Sequence, residues 1–354
     1  MTRFLRWAGG LVVLLGIGIF LVFWLSPWPA AYLISLAFAR GDAASEAALA
    51  KHVPAGIAER RDLAYGPATA ERFDIFYPAG TKTQRPAIVW VHGGGWIAGS
   101  KEGVSNYLKV LAGHGYTAVA LEYSMGPESK YPEPVREVNE ALGYLVHNAA
   151  ALHIDPGALV LAGDSAGAQI GAQTAILNTD AGYARRLGIK PALAPDGIRA
   201  VMLLSGFYDA GAVDFRGDWG WLFRTILWAY SGVKNLPRDE QFKLLSVTDY
   251  VTPAFPRTFI SSGNGDPLAP QAVALTRKLE GLGVGVDSLF FPAAYAPALR
   301  HEYQFNLDTA GGRLVLTRML AFLAATLKTR RSPPAAAMRH AKFLGPSGAL
   351  RTAT

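Results

Sequence analysis

The sequence predicts an α/β fold, a mostly parallel central sheet covered by helices on both faces. Three observations carry this expectation. From about residue 60 to residue 328, short apolar runs alternate with helical stretches, the pattern of repeated βα units. Two of those runs, 87–91 and 158–161, pass directly into glycine-rich turns. Several runs are apolar throughout rather than alternating, as strands covered on both faces are. At 354 residues the chain is long for one domain, but one sheet of this type can accommodate it.

Taken in order, residues 7–25 read WAGGLVVLLGIGIFLVFWL without a charge, close to the roughly 20 residues that cross a bilayer core. Arg3 and Arg6 precede the stretch, and Trp24 and Trp28 lie at its far end, so the residues are those of a span with its N-terminus inside. The reading is an uncleaved transmembrane anchor over 1–28, with the following domain on the extracytoplasmic side. A signal peptide cleaved to release the protein, and a buried core helix, are the alternatives. Pro27 and Pro29 end the segment. Residues 29–59 form a linker whose apolar part, 30–39, suits a membrane-surface segment, a second span or a cover over a site.

The α/β domain follows over 60–328. Strands are expected at 72–77 (half-buried by its alternation), 87–91, 117–123, 158–161, 198–204, 257–261 and 286–291. Helices are expected at 105–114, 134–147, 166–177 and 271–282, with a C-terminal helix from about 309. Residues 207–250 break the alternation and carry Phe215, Trp219, Trp221, Phe223 and Trp228, the composition of a lid insert. The tail 329–354 lacks periodicity and reads as disordered.

Composition excludes several classes. There is no cysteine, so disulfides, thiolate catalysis and Cys-ligated metal are out. The net charge of +7 comes from scattered residues with small clusters at Arg60-Arg61 and Arg185-Arg186. No basic face interleaved with aromatics marks a nucleic-acid interface.

The chemistry lies in two motifs. In Gly163-Asp164-Ser165-Ala166-Gly167 the serine sits on a sharp turn from strand to helix. That turn exposes its hydroxyl at a helix N-terminus and leaves little room for side chains two residues away. In His92-Gly93-Gly94-Gly95-Trp96, unshielded amides follow a strand and can point at a developing oxyanion. The Gly-Lys-Ser/Thr of a phosphate loop is absent. A base for Ser165 is expected after a late strand. Of histidines 52, 92, 114, 147, 153, 301 and 340, only His301 follows the last strand and precedes the C-terminal helix. Asp266, after the strand 257–261, is the acid that would orient it. Asp249, Asp287 and Glu302 are less well placed.

HGGGW and GDSAG, in that order, resemble the hormone-sensitive-lipase-like and carboxylesterase-type α/β-hydrolases, a group of acetyl and short-chain esterases. Glu122-Tyr123-Ser124-Met125-Gly126-Pro127-Glu128 with Tyr131-Pro132 is similar to that group's Tyr-Arg-Leu-Ala-Pro-Glu…Phe-Pro stretch. The resemblance spans about 60–325. It implies a Ser165–Asp266–His301 triad and oxyanion donors at Gly93, Gly94 and Ala166, with Gly95 a third loop donor. Three departures stand out. Ala168 replaces a second glycine, His301-Glu302-Tyr303 replaces His-Gly-Phe, and Ser124-Met125 replaces Arg-Leu. The membrane segment is untypical of soluble members.

The function expected is hydrolysis of short- to medium-chain carboxylic esters, on a small-molecule or lipid ester, without cofactor or metal. Acyl transfer or peptide cleavage on the same triad is the second reading, and a non-catalytic membrane-tethered binding module the third.

Overall fold

The computed structural model describes residues 2–234 and 243–328; the expected tail at 329–354 and part of the insert lie outside them. Strands β1 (Ile57–Ala64), β2 (Arg72–Pro78), β3 (Arg85–Val91), β4 (Thr117–Leu121), β5 (Ile154–Asp164), β6 (Ala200–Leu204), β7 (Arg257–Ser262) and β8 (Val286–Phe290) form one sheet. Their order is β1-β2-β4-β3-β5-β6-β7-β8. The six strands β3 to β8 run parallel, while β1 and β2 are antiparallel at one edge.

Side chains of the central strands divide by parity, since successive Cβ atoms point to opposite faces. Ala87, Val89 and Val91 join one core with Val135 and Leu142 of α4 (Glu133–His147), Ile170 and Ile176 of α5 (Ser165–Thr179) and Leu275 of the helix Ala269–Gly281. Ile88 and Trp90 join the other, with Tyr107 and Leu111 of α3 (Ser105–Gly113) and Met319, Phe322 and Leu323 of the helix Ala310–Lys328. That C-terminal helix is apolar and long enough to span a membrane, yet it packs on the sheet, with Phe322 against Phe259 at 5.8 Å between ring centroids.

Three elements differ from expectation. β1 has no apolar period, because Glu59, Arg60, Arg61 and Asp62 occupy an exposed edge and carry a bulge; charge on an edge strand opposes pairing with other chains. β2 is not half-buried. Asp74 in its middle is fully buried, and its carboxylate is met by Arg61 Nη1 at 2.8 Å and Lys101 Nζ at 3.1 Å, so the polar position points into the protein and not to water. Third, residues 29–59, expected as linker, contain a long helix. After α1 (Thr2–Leu25), α2 (Trp28–Leu49) turns Ala31, Ile34 and Leu49 into the core, and Glu46 caps α3 by accepting from Asn106 N at 3.0 Å.

The insert supplies α7 (Gly220–Ser231) and the short α8 (Val247–Tyr250), after α6 (Ala181–Leu187). In the same numbering Ala269–Gly281 is α9 and Ala310–Lys328 is α10. The loops after β3, β5, β7 and β8 meet at the C-terminal edge of the parallel strands, where ligands bind in open α/β sheets.

Candidate active site

Ser165 directly follows β5 and opens α5 with φ at +49°, a strained conformation for a residue with a side chain. The strain is imposed by packing. A Cβ on Gly167 would lie 2.0 Å from the Val91 carbonyl oxygen, so α5 seats directly on the end of β3. The Ser165 hydroxyl is thereby held at the edge of the sheet, 2.9 Å from His301 Nε2. His301 Nδ1 lies 3.0 Å from Asp266 Oδ1.

Backbone contacts join the loops that carry the acid and the histidine. Gly265 N donates to the Leu299 carbonyl at 2.8 Å, and Leu299 N donates to Asn264 Oδ1 at 2.9 Å. Asp266 also accepts from Leu268 N at 2.9 Å and from the Ser262 hydroxyl at 2.8 Å. Burial raises the pKa of Asp266, but His301 and these donors outweigh it, and the carboxyl stays below its ordinary range. For His301, burial disfavours the charged ring, but Asp266 and Glu302 prevail and raise its pKa to about 9. Of the competing acids, Asp287 pairs with Arg318, and Glu302 lies 3.7 Å from Nε2, the nitrogen on the serine side.

His92 is buried beneath the glycine loop. Its Nδ1 meets the Gly93 carbonyl at 2.8 Å, its Nε2 meets Glu122 Oε1 at 3.0 Å, and its ring stacks on Tyr123. It therefore shapes the loop from below. Gly94 has φ at +105°, and a Cβ there would fall 2.1 Å from the Ala98 carbonyl oxygen, so only glycine fits. Gly93, expected as an oxyanion donor, has its N–H engaged by Asp164 Oδ2 at 2.8 Å. The amides of Gly94, Gly95 and Ala166 have no such acceptor among the described residues.

Asp164 was not singled out from sequence. It is buried and accepts from Trp90 Nε1 at 2.6 Å as well as from Gly93, tying the glycine loop to the serine turn. Burial, then the neighbouring Glu302 carboxyl, push its pKa far above the ordinary range. Asp42 on α2 is raised to about 6 by burial and by Glu302, against His92. Where the resemblance predicts an arginine, Ser124 donates through both its amide and its hydroxyl to the buried Glu137, at 2.6 Å each. The segment is thus anchored without a salt bridge.

Ser165, His301, Glu302, Asp42 and the glycine loop face a cavity of about 670 Å³. One wall is apolar, with Phe38 from α2 and Phe207, Trp219, Phe223 and Ile226 from the insert. Asp42, Ser100 and Glu302 are among the cavity's polar lining. Among the described residues no group of His, Asp and Glu is arranged to hold a metal ion. The site joins a hydroxyl in reach of an oriented imidazole to free amides beside it, the parts acyl transfer requires.

Comparison with known proteins gives this geometry its family. The BD-FAE family model matches residues 73–279. Carboxylesterase NlhH of Mycobacterium tuberculosis is 34% identical over 274 residues, covering 76% of this chain and 82% of its own. An acetyl esterase of Salmonella enteritidis PT4 is 25% identical over 318 residues, covering 83% and 90%. Among solved structures, esterase B of Lactobacillus rhamnosis superposes with a TM-score of 0.73 at 21% identity over 85% of this chain and 96% of its own, a likeness of fold. The chain belongs to the hormone-sensitive-lipase-like carboxylesterases of the α/β-hydrolase superfamily and is a carboxylic-ester hydrolase.

Proposed function

We propose that the protein is a membrane-anchored serine esterase in which Ser165, His301 and Asp266 act as a catalytic triad. The observation that carries the reading is the unbroken line from Ser165 Oγ to His301 Nε2 at 2.9 Å and from His301 Nδ1 to the buried Asp266 Oδ1 at 3.0 Å, with Ser165 and His301 facing one cavity. Ser165 Oγ bonds to the acyl carbon while its proton passes to His301 Nε2. The carbonyl π pair moves onto oxygen, where the amides of Gly94, Gly95 and Ala166 receive it; each such donor is worth roughly 3–4 kcal/mol. The tetrahedral intermediate then expels the alcohol, which takes the proton from His301. Water repeats the sequence on the acyl-enzyme and releases the acid.

The apolar wall suits a short- to medium-chain acyl group, which needs no polar partner. Residues 7–25 are entirely exposed, as a helix sheathed in lipid is, and the charges at Arg3 and Arg6 favour a catalytic domain on the extracytoplasmic side.

Ser165→Ala tests the mechanism. It should abolish p-nitrophenyl butyrate hydrolysis and fluorophosphonate labelling while leaving the thermal melt in place. Retained turnover would refute the assignment.

A further inference from the structure

The outward face of α2 is apolar where a helix in water is polar. Trp28 is 48% exposed, Tyr32 64%, Leu33 56% and Leu36 42%. The inward positions Ala31, Ile34, Phe38, Asp42, Ser45 and Leu49 follow helical spacing and meet the core or the cavity, so the exposed residues are not needed for packing. At the start of α7, Trp219 and Trp221 are also exposed, and Trp219 lines the cavity together with Ala37 and Phe38. The rim of the catalytic pocket is therefore part of this apolar surface.

The far end of α7 is tied to the end of α1. Lys234 Nζ sits 4.2 Å from the Trp24 ring centroid and 4.9 Å from that of Trp228, and it donates to the Trp24 carbonyl. A helix of 12 residues is about 18 Å long, so Trp219 stands one such helix length from the end of α7 that is tied to α1. Tryptophans at a helix end beside a long apolar stretch mark the depth of lipid headgroups. Large exposed apolar patches mark surfaces that are covered in use.

We propose that this face rests on the bilayer crossed by α1 and that the cavity opens into the lipid interface. The substrate is then an ester dissolved in the leaflet, whose acyl chain enters between Phe38 and Trp219. This rests on the reading of α1 as a span and of Ser165 as nucleophile.

Because the chain has no cysteine, single cysteines report position directly. Leu33→Cys, Leu36→Cys and Trp221→Cys, labelled with an environment-sensitive fluorophore in full-length protein in phosphatidylcholine vesicles, should be quenched by nitroxide-bearing lipid and not by aqueous iodide. Glu280→Cys, at the opposite end of the sheet, should show the reverse. Leu14→Cys reads the span by itself. Iodide quenching at 33, 36 and 221 with lipid quenching at 14 overturns the proposal and leaves the anchor standing. Quenching by neither reagent, together with a dimer, assigns the face to a second copy and also overturns it.

Activity gives an independent reading. Leu33→Lys with Leu36→Lys should stay within twofold of wild type on soluble p-nitrophenyl acetate and lose tenfold or more on dioctanoylglycerol carried in the vesicles. Equal activity ratios on the two substrates count against a lipid-facing mouth. Wild-type inactivity on p-nitrophenyl acetate would instead sink the Ser165 assignment.

Discussion

Replacing Glu302 by glutamine should shift the pH dependence of the enzyme toward acid. Glu302 Oε1 lies 3.7 Å from His301 Nε2, and its N–H is held by the Ser205 hydroxyl at 3.2 Å. Two unit charges at that distance interact by about 1 kcal/mol in a water-like dielectric and by about 4–5 kcal/mol at an effective constant of 20. The imidazole is 33% exposed, so the lower figure governs, and it corresponds to roughly one pKa unit. Asp266 remains on Nδ1 in the variant, while Asp42 and Asp164 face the replaced group, with His92 and Arg300 also on the cavity wall. As the proposed base, His301 must be neutral to accept the Ser165 proton. With its pKa raised to about 9, activity is full above that pH and falls as pH drops through it. Removing the charge lowers the pKa, so the ascending limb of kcat/KM should move down by about one unit, with a gain of up to about tenfold at pH 7. Continuous titration of the acid released from ethyl butyrate measures this without a pH-sensitive chromophore. An unmoved limb, with the glutamine variant folded, would refute the coupling.

Other substitutions test the remaining parts. Asp266→Asn should keep the fold and lower kcat by up to about four orders of magnitude, through loss of the correct tautomer, as single-turnover kinetics would show. Gly94→Ala should lower kcat by a hundredfold or more, because its Cβ must displace the Ala98 carbonyl and with it the donor loop. Asp164→Asn leaves one of the Trp90 and Gly93 donors poorly satisfied; urea unfolding should read a loss of roughly 1–3 kcal/mol.

What could be read from sequence depended on how local each cause is. The serine turn is a five-residue steric problem, so Gly163, Ser165 and Gly167 are recognisable without the rest of the chain. The alternation of strands is equally local, and six of the expected strands lie within the parallel part of the sheet. Asp266 and His301 were singled out through their order after β7 and β8, and the structure brings both to Ser165. The engagement of the Gly93 amide depends on a distant contact. Gly93 looks like any other glycine of HGGGW until Asp164, 71 positions away, takes its amide. Glu302 and Asp42 are 260 residues apart and meet only across the cavity. Edge strand β1 was hidden because charge, not apolar period, suits its position.

Helix α2 was the harder problem, since its apolar first half looks like a continuation of the apolar stretch 7–25. Truncation separates the two roles. Removing residues 1–25 takes away only α1 and should leave folded, active protein when purified in detergent, because Ala31, Ile34 and Leu49 still pack and Glu46 still caps α3. Removing residues 1–49 deletes Phe38 and Asp42 from the cavity wall, uncaps α3 and exposes core side chains. At about 25 cal/mol per Å² of apolar surface, three uncovered core contacts cost several kcal/mol, much of a domain's margin. The shorter truncation should therefore hydrolyse p-nitrophenyl butyrate within about threefold of the full chain, and the longer one should melt at least 10 °C lower with little activity. Equal activity and melting of the two truncations would mean that α2 is only a tether. Loss of activity on removing 1–25 alone would mean that α1 itself holds the catalytic wall in place.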